Sequence, residues 1–311
     1  MSHIDVAGTG FTVMDRVYAD DTEPFEALGG SCGNVLTSLA MLERRVAPVI
    51  SLGDDEIGDR LVTEFAEAGA DTRFIYRRQD RKSPILAQNV DTKLGQHSFS
   101  FVCPITNEAY PKYEPIDFSE VEEANEALKL CSVFFTDRIS ETILEAMRSA
   151  FKENAIIYFE PSSVDDENLF AEALKYTSIL KCSNDRVGEQ VTVKDIRDDA
   201  YLIVTHGADG LELLQKKRSA KWLKAIEAPV VRDTCGSGDM VTVGTIDWLL
   251  RDGIKEAGLQ ALEFGLTAGQ RLAAANCAFA GARGLFNQFG SNFARRVLEN
   301  KAGDTLAQLD L

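Results

Sequence analysis

Asp233-Thr234-Cys235-Gly236-Ser237-Gly238-Asp239 is the stretch on which the interpretation of this chain depends, and an apolar run over residues 240–250 follows it directly. Gly236 and Gly238 can adopt backbone conformations that other residues avoid, and the first N–H groups of a helix lack partners within it. The stretch therefore predicts a glycine turn that opens a helix and binds an anion. A carboxylate at Asp239 would repel that anion, unless it removes the proton of a hydroxyl that attacks a phosphate. A glycine-rich turn with Asp239 as a helix cap explains the stretch equally well.

The composition excludes several classes of protein. With 311 residues, 45% of them hydrophobic, the chain can bury a sizeable core, and we expect one domain over residues 1–311. A net charge of -16 argues against a nucleic-acid binder, which needs a basic face. The six cysteines form no C-x-x-C pair, and the three histidines are scattered, so neither a disulfide framework nor a metal cluster is indicated. No signal-like start and no bilayer-length apolar run occur, so we expect a cytoplasmic protein without a membrane partner.

Two further polar features lie near the amino terminus. The stretch Leu28-Gly29-Gly30-Ser31-Cys32-Gly33-Asn34 leads into apolar residues with helical spacing. Asn34 could bind a ligand through its amide or cap the helix. Asp15 lies in the alternating, strand-like segment 11–18, where it could face solvent or hold a polyol. The pair Gly8-x-Gly10 is a weak dinucleotide signal, because no third glycine follows and the next segment alternates like a strand.

The rest of the chain predicts an α/β fold. Strand and helix patterns alternate from residue 118 onward, which implies parallel strands with helices on both faces and ligands beyond the carboxyl ends of the strands. The apolar strand 201–204 precedes Thr205-His206-Gly207-Ala208-Asp209-Gly210, which could admit a nucleotide or form a hairpin turn. Segments 83–90 and 97–102 alternate around a turn at 91–95 and predict a hairpin, which with 11–18 forms a small sheet over a pocket.

Taken jointly, four motifs resemble the PfkB (ribokinase-like) carbohydrate kinases: Gly29-Gly30 with Asn34, Gly53-Asp54-Asp55-x-x-Gly58, Thr205-x-Gly207-x-x-Gly210 and Asp233-Thr234-x-Gly236-x-Gly238-Asp239. The resemblance covers nearly the whole chain. It implies a three-layer α/β/α domain with a mainly parallel central sheet and a β-sheet lid, here segments of approximately 11–20 and 75–103. It also implies ATP-dependent phosphorylation of a hydroxyl, with Mg²⁺, and a homodimer that forms through the lid.

The same resemblance assigns roles to individual residues. Asp239 would be the general base, and the anion hole for the phosphoryl group would consist of the N–H groups of Gly236, Ser237 and Gly238. The sugar hydroxyls would contact Asp15, Gly30 and Asn34. The nucleotide site would contain Thr205, Gly207, Gly210 and Asn276. A monovalent cation, K⁺ in some relatives, would lie between Asp233 and the small residues that run through Arg283-Gly284.

One motif departs from the family pattern. Relatives carry N-x-x-E where this chain has Ser183-Asn184-Asp185-Arg186, so Arg186 replaces the glutamate that helps to organise the water shell of Mg²⁺. Asp185 or Glu189 could substitute, because Mg²⁺ is held by few carboxylates, phosphates and waters. The sequence favours a sugar kinase. A nucleoside kinase of the same fold, or a sugar-binding protein that has lost turnover, remains open.

Overall fold

The computed structural model describes residues 3–19, 23–91, 96–251 and 258–301. In chain order, the strands of this part are β1 (Ile4–Thr9), β2 (Val13–Ala19), β3 (Phe25–Gly29), β4 (Val46–Pro48), β5 (Ile50–Gly53), β6 (Ile75–Arg78), β7 (Ile85–Asp91), β8 (Gln96–Ser100), β9 (Cys131–Thr136), β10 (Ile156–Phe159), β11 (Ile179–Ser183), β12 (Tyr201–Thr205), β13 (Gly210–Gln215) and β14 (Lys221–Lys224).

The α-helices of the same part are α1 (Ser31–Met41), α2 (Glu56–Glu67), α3 (Phe118–Glu123), α4 (Asn125–Leu130), α5 (Glu141–Lys152), α6 (Glu167–Leu174), α7 (Ser237–Arg251), α8 (Leu259–Asn276) and α9 (Gly284–Leu298). Of these helices in the described residues, none combines the length and the apolar character needed to cross a bilayer.

The central sheet has the strand order β14-β13-β12-β11-β10-β9-β1-β4. Pairing is parallel from β4 to β12 and antiparallel for β13 and β14. The predicted mainly parallel α/β sheet is confirmed. Because parallel strands end at one edge, the loops after β1, β9, β10, β11 and β12 open on the same side of the molecule.

Helices cover both faces of this sheet and give three layers. Val133 and Phe135 of β9 join an apolar cluster with residues of α1, α7 and α8. Phe134, between them, points to the opposite face and joins a cluster with residues of α3 to α6. Because successive side chains of a strand point to opposite faces, β9 contributes residues to two separate cores. The α/β/α architecture expected from the family resemblance is confirmed.

A second sheet has the order β3-β2-β7-β8, and its strands differ from the segments predicted for a lid. β7 and β8 form the predicted hairpin, while the turn at 92–95 and residue 20 lie outside the described residues. The predicted segments omitted β3, which pairs antiparallel with β2. They wrongly included β6, which pairs in parallel with β5 in a separate two-stranded sheet. β3 was missed because it is short and ends in glycines, which are typical of a loop.

Helices α7 and α8 approach closely through small residues. A Cβ at Gly269 would lie 2.3 Å from the Val241 carbonyl oxygen, and one at Gly244 would lie 2.4 Å from the Gly269 Cα. Neither contact leaves room for a methyl group, since the neighbouring atoms belong to the backbone. This packing fixes the helix that begins at Ser237.

We expect Gly269→Ala to lower the free energy of unfolding by about 2–3 kcal/mol, the upper part of the usual range for overpacking, because the methyl group must push two backbones apart. Gly258→Ala is the matched control, since Gly258 has a φ of -81° and open space around it. Gly258→Ala should lower the free energy of unfolding by less than about 1 kcal/mol. Urea unfolding of both variants measures the difference, and equal losses would contradict the packing argument.

Candidate active site

The predicted glycine turn does open a helix. α7 begins at Ser237, directly after Gly236, whose φ is 72°. A Cβ at Gly236 would lie 2.5 Å from the Ala282 Cβ, so both conformation and space require glycine there. The Ser237 N–H donates to the Thr234 carbonyl at 3.2 Å, and its hydroxyl donates to the same oxygen at 2.8 Å. One of the three amides predicted to bind the anion is thus already used within the turn.

Asp233 connects this turn to the segment before α9. Its Oδ1 accepts from the Cys235 N–H and its Oδ2 from the Gly281 N–H, both at 2.7 Å. The backbone N–H groups of Arg232 and Asp233 also donate to the Cys277 carbonyl. The structure therefore brings together the two segments to which the resemblance assigned a monovalent cation.

Asp239 lies in the first turn of α7 and is 7% exposed. Its Oδ2 accepts a hydrogen bond of 2.8 Å from the Asn34 amide, 205 residues away in sequence. Burial and, to a smaller extent, the Glu160 charge raise the pKa of Asp239 to about 7, although the Asn34 hydrogen bond and Lys181 oppose the rise. A carboxyl group with this pKa exchanges a proton near neutral pH, as a general base must.

One interpretation of the sequence made Asn34 the cap of α1, and the structure contradicts it. The N-cap is Gly30, whose φ of 79° lies in the left-handed region, and the Asn34 N–H donates to the Gly30 carbonyl at 2.8 Å. The Asn34 side chain is buried and lies between Asp239 and Arg283, which donates to Asn34 Oδ1 at 2.7 Å. Asn34 therefore belongs to the site.

Asp15 lies in β2 on the face of the small sheet that also carries Gln88. Its Oδ1 is buried and has no hydrogen-bond partner in the part of the chain that the structure describes. Burial raises the pKa of Asp15 to about 7, and the Arg283 charge opposes this rise. Gly29 lies against its carboxylate, because a Cβ there would lie 1.9 Å from Asp15 Oδ2. An unpaired buried acceptor of this kind is suited to a ligand hydroxyl.

The segment predicted for the nucleotide forms a hairpin turn between β12 and β13. Thr205 ends β12, Gly207 has a φ of 56° with open space around it, and Gly210 starts β13. The hairpin interpretation is confirmed, and the open turn lies at the edge where the parallel strands end. Space for a ligand therefore exists beside Gly207.

Asn276, predicted to approach the adenine, makes several hydrogen bonds within the chain. It is fully buried, its Nδ2 donates to the Gly281 and Ala282 carbonyls at 3.2 Å, and its Oδ1 accepts from the Leu285 N–H at 3.0 Å. Both ends of the Asn276 amide are therefore engaged with backbone groups. It holds the turn that precedes α9, because an amide with both ends can satisfy several buried backbone groups at once.

The sequence did not point to Glu160, which directly follows β10, or to Lys181, which lies in the neighbouring strand β11. Lys181 is 2% exposed, forms an ion pair with Glu160, and donates to the Gly238 carbonyl at 3.1 Å. Thr242 donates to Glu160 Oε2 at 2.5 Å. These contacts tie both charged residues to the first turn of α7. A lysine inside an otherwise apolar strand was the available signal.

The segment Ser183-Asn184-Asp185-Arg186 leaves β11 beside the hairpin turn. The Asn184 N–H donates to the Thr205 carbonyl at 2.9 Å, whereas Asp185, Arg186 and Glu189 are exposed. Within the described ranges, no cluster of three or more His, Cys, Asp or Glu side chains could hold a metal ion by itself.

A glycine turn at a helix start and a buried carboxyl beside it lie in a three-layer α/β/α fold. The solved ribokinase of Giardia lamblia shares this fold, with a TM-score of 0.77 at 14% identity, over 98% of this chain and 100% of that one. The model of the family described as pfkB family carbohydrate kinase matches residues 22–283, and the chain belongs to this family. The resemblance seen in the sequence is confirmed, and with it the enzyme class: a phosphotransferase that acts on hydroxyl groups of sugars.

Named relatives lie at moderate distance. The chain is 28% identical over 243 residues to the ATP-dependent ribose-1-phosphate kinase of Halopiger xanaduensis, which covers 75% of this chain and 76% of that protein. It is 27% identical over 260 residues to the aminoimidazole riboside kinase of Salmonella typhimurium, with coverages of 78% and 80%. The crystal structure of the aminoimidazole riboside kinase from Salmonella enterica, complexed with aminoimidazole riboside and an ATP analog, matches with a TM-score of 0.74 at 19% identity, over 94% of this chain and 99% of that one.

Proposed function

We propose that this protein is an ATP-dependent sugar kinase that transfers the γ-phosphoryl group to a hydroxyl of a small carbohydrate, with Asp239 as the general base. The observation that carries the proposal is the buried Asp239 carboxyl, with a pKa near 7, in the first turn of a helix that starts at a glycine turn. The helix start attracts the phosphoryl charge, while Asp239 takes the proton of the attacking hydroxyl.

The transferring phosphoryl group binds at the start of α7. The amides of Gly236, Ser237 and Gly238 face it, and the helix dipole adds favourable potential. The Ser237 amide leaves its bond to Thr234, which is long at 3.2 Å, or shares its hydrogen with the phosphate. The rest of the nucleotide lies toward Thr205, Gly207 and Gly210, where the hairpin turn is open.

The acceptor binds between the small sheet and α1, through Asp15, Gly30 and Asn34. The small sheet acts as the lid, because the Gln88 side chain of β7 lies close enough to the Cys235 thiol to oppose the rise of its pKa. Cys235 belongs to the glycine turn at residues 233–238, the phosphate turn. Closure over the site excludes water, so the sugar hydroxyl accepts the phosphoryl group in its place. Lid and layers together form one kinase domain over residues 1–311.

Mg²⁺ would bind together with the phosphates of the nucleotide. Asp185 or Glu189, both exposed after β11, would hold its water shell in place of the missing glutamate. When bound, Mg²⁺ neutralises charge on the transferring phosphates. A K⁺ ion would lie beside Asp233 and the segment through Arg283-Gly284, which Asp233 already contacts through Gly281.

A nucleoside kinase of the same fold is the second candidate, favoured by the similarity to an aminoimidazole riboside kinase. A coupled ADP-release assay with ribose, fructose, 2-keto-3-deoxygluconate, ribose 1-phosphate, adenosine and pseudouridine separates the two classes. Turnover with free sugars supports the first proposal, and turnover with nucleosides alone replaces it by the second. Thermal stabilisation by these ligands without ADP release would indicate a binding protein.

Asp239→Asn should lower kcat by about two to four orders of magnitude, the usual contribution of a general base, with little change in acceptor binding. The asparagine keeps the shape of the side chain but cannot accept the proton. Steady-state kinetics and acceptor binding by calorimetry measure both effects. Turnover close to that of the wild type would remove Asp239 from its role.

The acid limb of activity should follow the same group. Because the Asp239 pKa is about 7 and only the ionised form accepts a proton, kcat/KM should fall about tenfold per pH unit below 7. Asp15→Asn is the control: with the second buried acid gone, an acid limb near pH 7 should remain. A profile in this variant that stays flat from about pH 5.5 to 8 would contradict the assignment.

We also propose that the protein forms a homodimer through the small sheet. Phe25 of β3 and Phe99 of β8 lie at opposite edges of this sheet, in the cross-strand row that passes through Val17 and Gln88. They are 51% and 54% exposed, so both present apolar area that a second copy of the chain would cover.

Phe25→Ser/Phe99→Ser should shift the mass measured by light scattering from the dimer to the monomer at micromolar concentration, because it removes apolar area from the interface. Trp222→Ser is the control, since Trp222 is 48% exposed on β14 in the central sheet. A monomeric wild type, or a double variant that stays dimeric, would contradict the proposed interface.

A further inference from the structure

Arg283 is a buried arginine to which neither the fold nor the family assignment gives a role in the reaction. It is 8% exposed and lies directly before α9. Three carboxylates interact with its charge: Glu64, Asp15 and Asp239. Burial of a guanidinium is costly, and it persists only where hydrogen bonds and opposite charges compensate. Among the described residues, its hydrogen-bond partners are Asn34, the Leu28 carbonyl beside Gly29, and Glu64.

The first contact of Arg283 determines the orientation of an amide. Its Nη1 donates to Asn34 Oδ1 at 2.7 Å, and Asn34 Nδ2 donates to Asp239 Oδ2 at 2.8 Å. A guanidinium can only donate and a carboxylate can only accept, so one orientation of the Asn34 amide satisfies both. In the reverse orientation, the amide would set a donor against a donor and an acceptor against a carboxylate.

The second contact of Arg283 holds the end of β3. Its Nη2 donates to the Leu28 carbonyl at 2.8 Å, while both Glu64 carboxylate oxygens accept from the Leu28 N–H at 2.9 Å. Glu64 Oε2 also lies 3.5 Å from Arg283 Nη2. The residue that precedes Gly29 and Gly30 is therefore fixed at both of its backbone polar groups by one ion pair.

We propose that Arg283 is a positioning residue for phosphoryl transfer, which acts through Asn34 to hold the Asp239 carboxylate and through Leu28 to hold the wall of the acceptor site. The significance of this role for catalysis rests on the proposed function of Asp239 as the base. The hydrogen-bond relay itself does not, and it can be tested without an acceptor.

The charged groups around Asp239 predict the direction of the effect. Glu160 after β10 and Asp137 after β9 raise the Asp239 pKa, whereas Lys181 of β11 and the Asn34 hydrogen bond lower it. Arg283 also lowers it, since the attraction between Arg283 and Asp239 favours the charged form of each. Removal of Arg283 deletes one favourable charge and frees the Asn34 amide, so both consequences raise the Asp239 pKa.

The test is a titration of Asp239 by ¹³C NMR in the full chain, with aspartate labelled at Cγ and without ATP or acceptor. The Asp239 signal is assigned as the one that Asp239→Asn removes. We expect Arg283→Met to raise the midpoint by about one pH unit, the usual spread of carboxyl pKa values in folded proteins. Arg283→Lys keeps the charge but cannot reach both oxygens, so its midpoint should rise by less.

Arg44→Met is the matched control. Arg44 donates to Asp247 Oδ1 and to the Asp247 carbonyl. The variant therefore also removes a partly buried guanidinium and its two hydrogen bonds to one helix. It should lower the melting temperature and leave the Asp239 midpoint unchanged. An unchanged midpoint in Arg283→Met overturns the proposal. If Arg283→Met does not fold, an unchanged midpoint in Arg283→Lys overturns the proposal instead. An equal shift of the Asp239 midpoint in Arg44→Met also overturns it.

The outcomes separate the relay from the proposed function. A shifted midpoint together with full turnover in Asp239→Asn keeps the relay and rejects the base. An unshifted midpoint with an inactive Asp239→Asn keeps the base and rejects the relay. Where both hold, the acid limb of kcat/KM in Arg283→Lys should move to higher pH in step with the NMR midpoint, and a fall in kcat with an unmoved limb would indicate a structural role only.

Discussion

The burial of one carboxyl group, Asp239, is the constraint on which the site depends. A carboxylate removed from water must be hydrogen-bonded or become neutral. Here the Asn34 amide supplies one hydrogen bond, and Glu160 adds negative charge from the neighbouring strand. The result is a group whose charged and neutral forms are close in free energy near pH 7. The same burial that costs stability gives a group able to accept a proton.

A second balance surrounds the first turn of α7. A helix start attracts anions, and two acidic residues, Glu160 and Asp239, lie beside this one. Lys181 offsets them by pairing with Glu160 and donating to the Gly238 carbonyl, while Thr242 satisfies a Glu160 oxygen. Each polar group within this cluster therefore depends on a residue from another strand or helix. The turn is held from outside as well as by its glycines.

Local patterns in the sequence predicted local features, and the contacts that they missed form where distant segments meet. The turn at Gly236 and the helix after it follow from a few adjacent residues, and the alternation of strands and helices follows from hydrophobic periodicity. The role of Lys181 depends on Glu160 and Gly238, 21 and 57 residues away, which no local pattern reveals. The contacts of Asn276 escaped the sequence for the same reason, because its partners, a turn and the start of α9, form only in the folded chain. β3 was missed because its pairing with β2 outweighs a sequence typical of a loop.

One joint in the backbone links two parts of the site. β3 ends at Gly29 and α1 begins at Ser31, so Gly30 alone separates the sheet that faces the phosphate turn from the helix that carries Asn34. The left-handed φ of Gly30 lets the chain reverse its course within that single residue. The small sheet and α1 are therefore consecutive in the chain, with no longer linker between them. If the small sheet moves, the backbone torsions of Gly30 must absorb the movement, or α1 must move with the sheet.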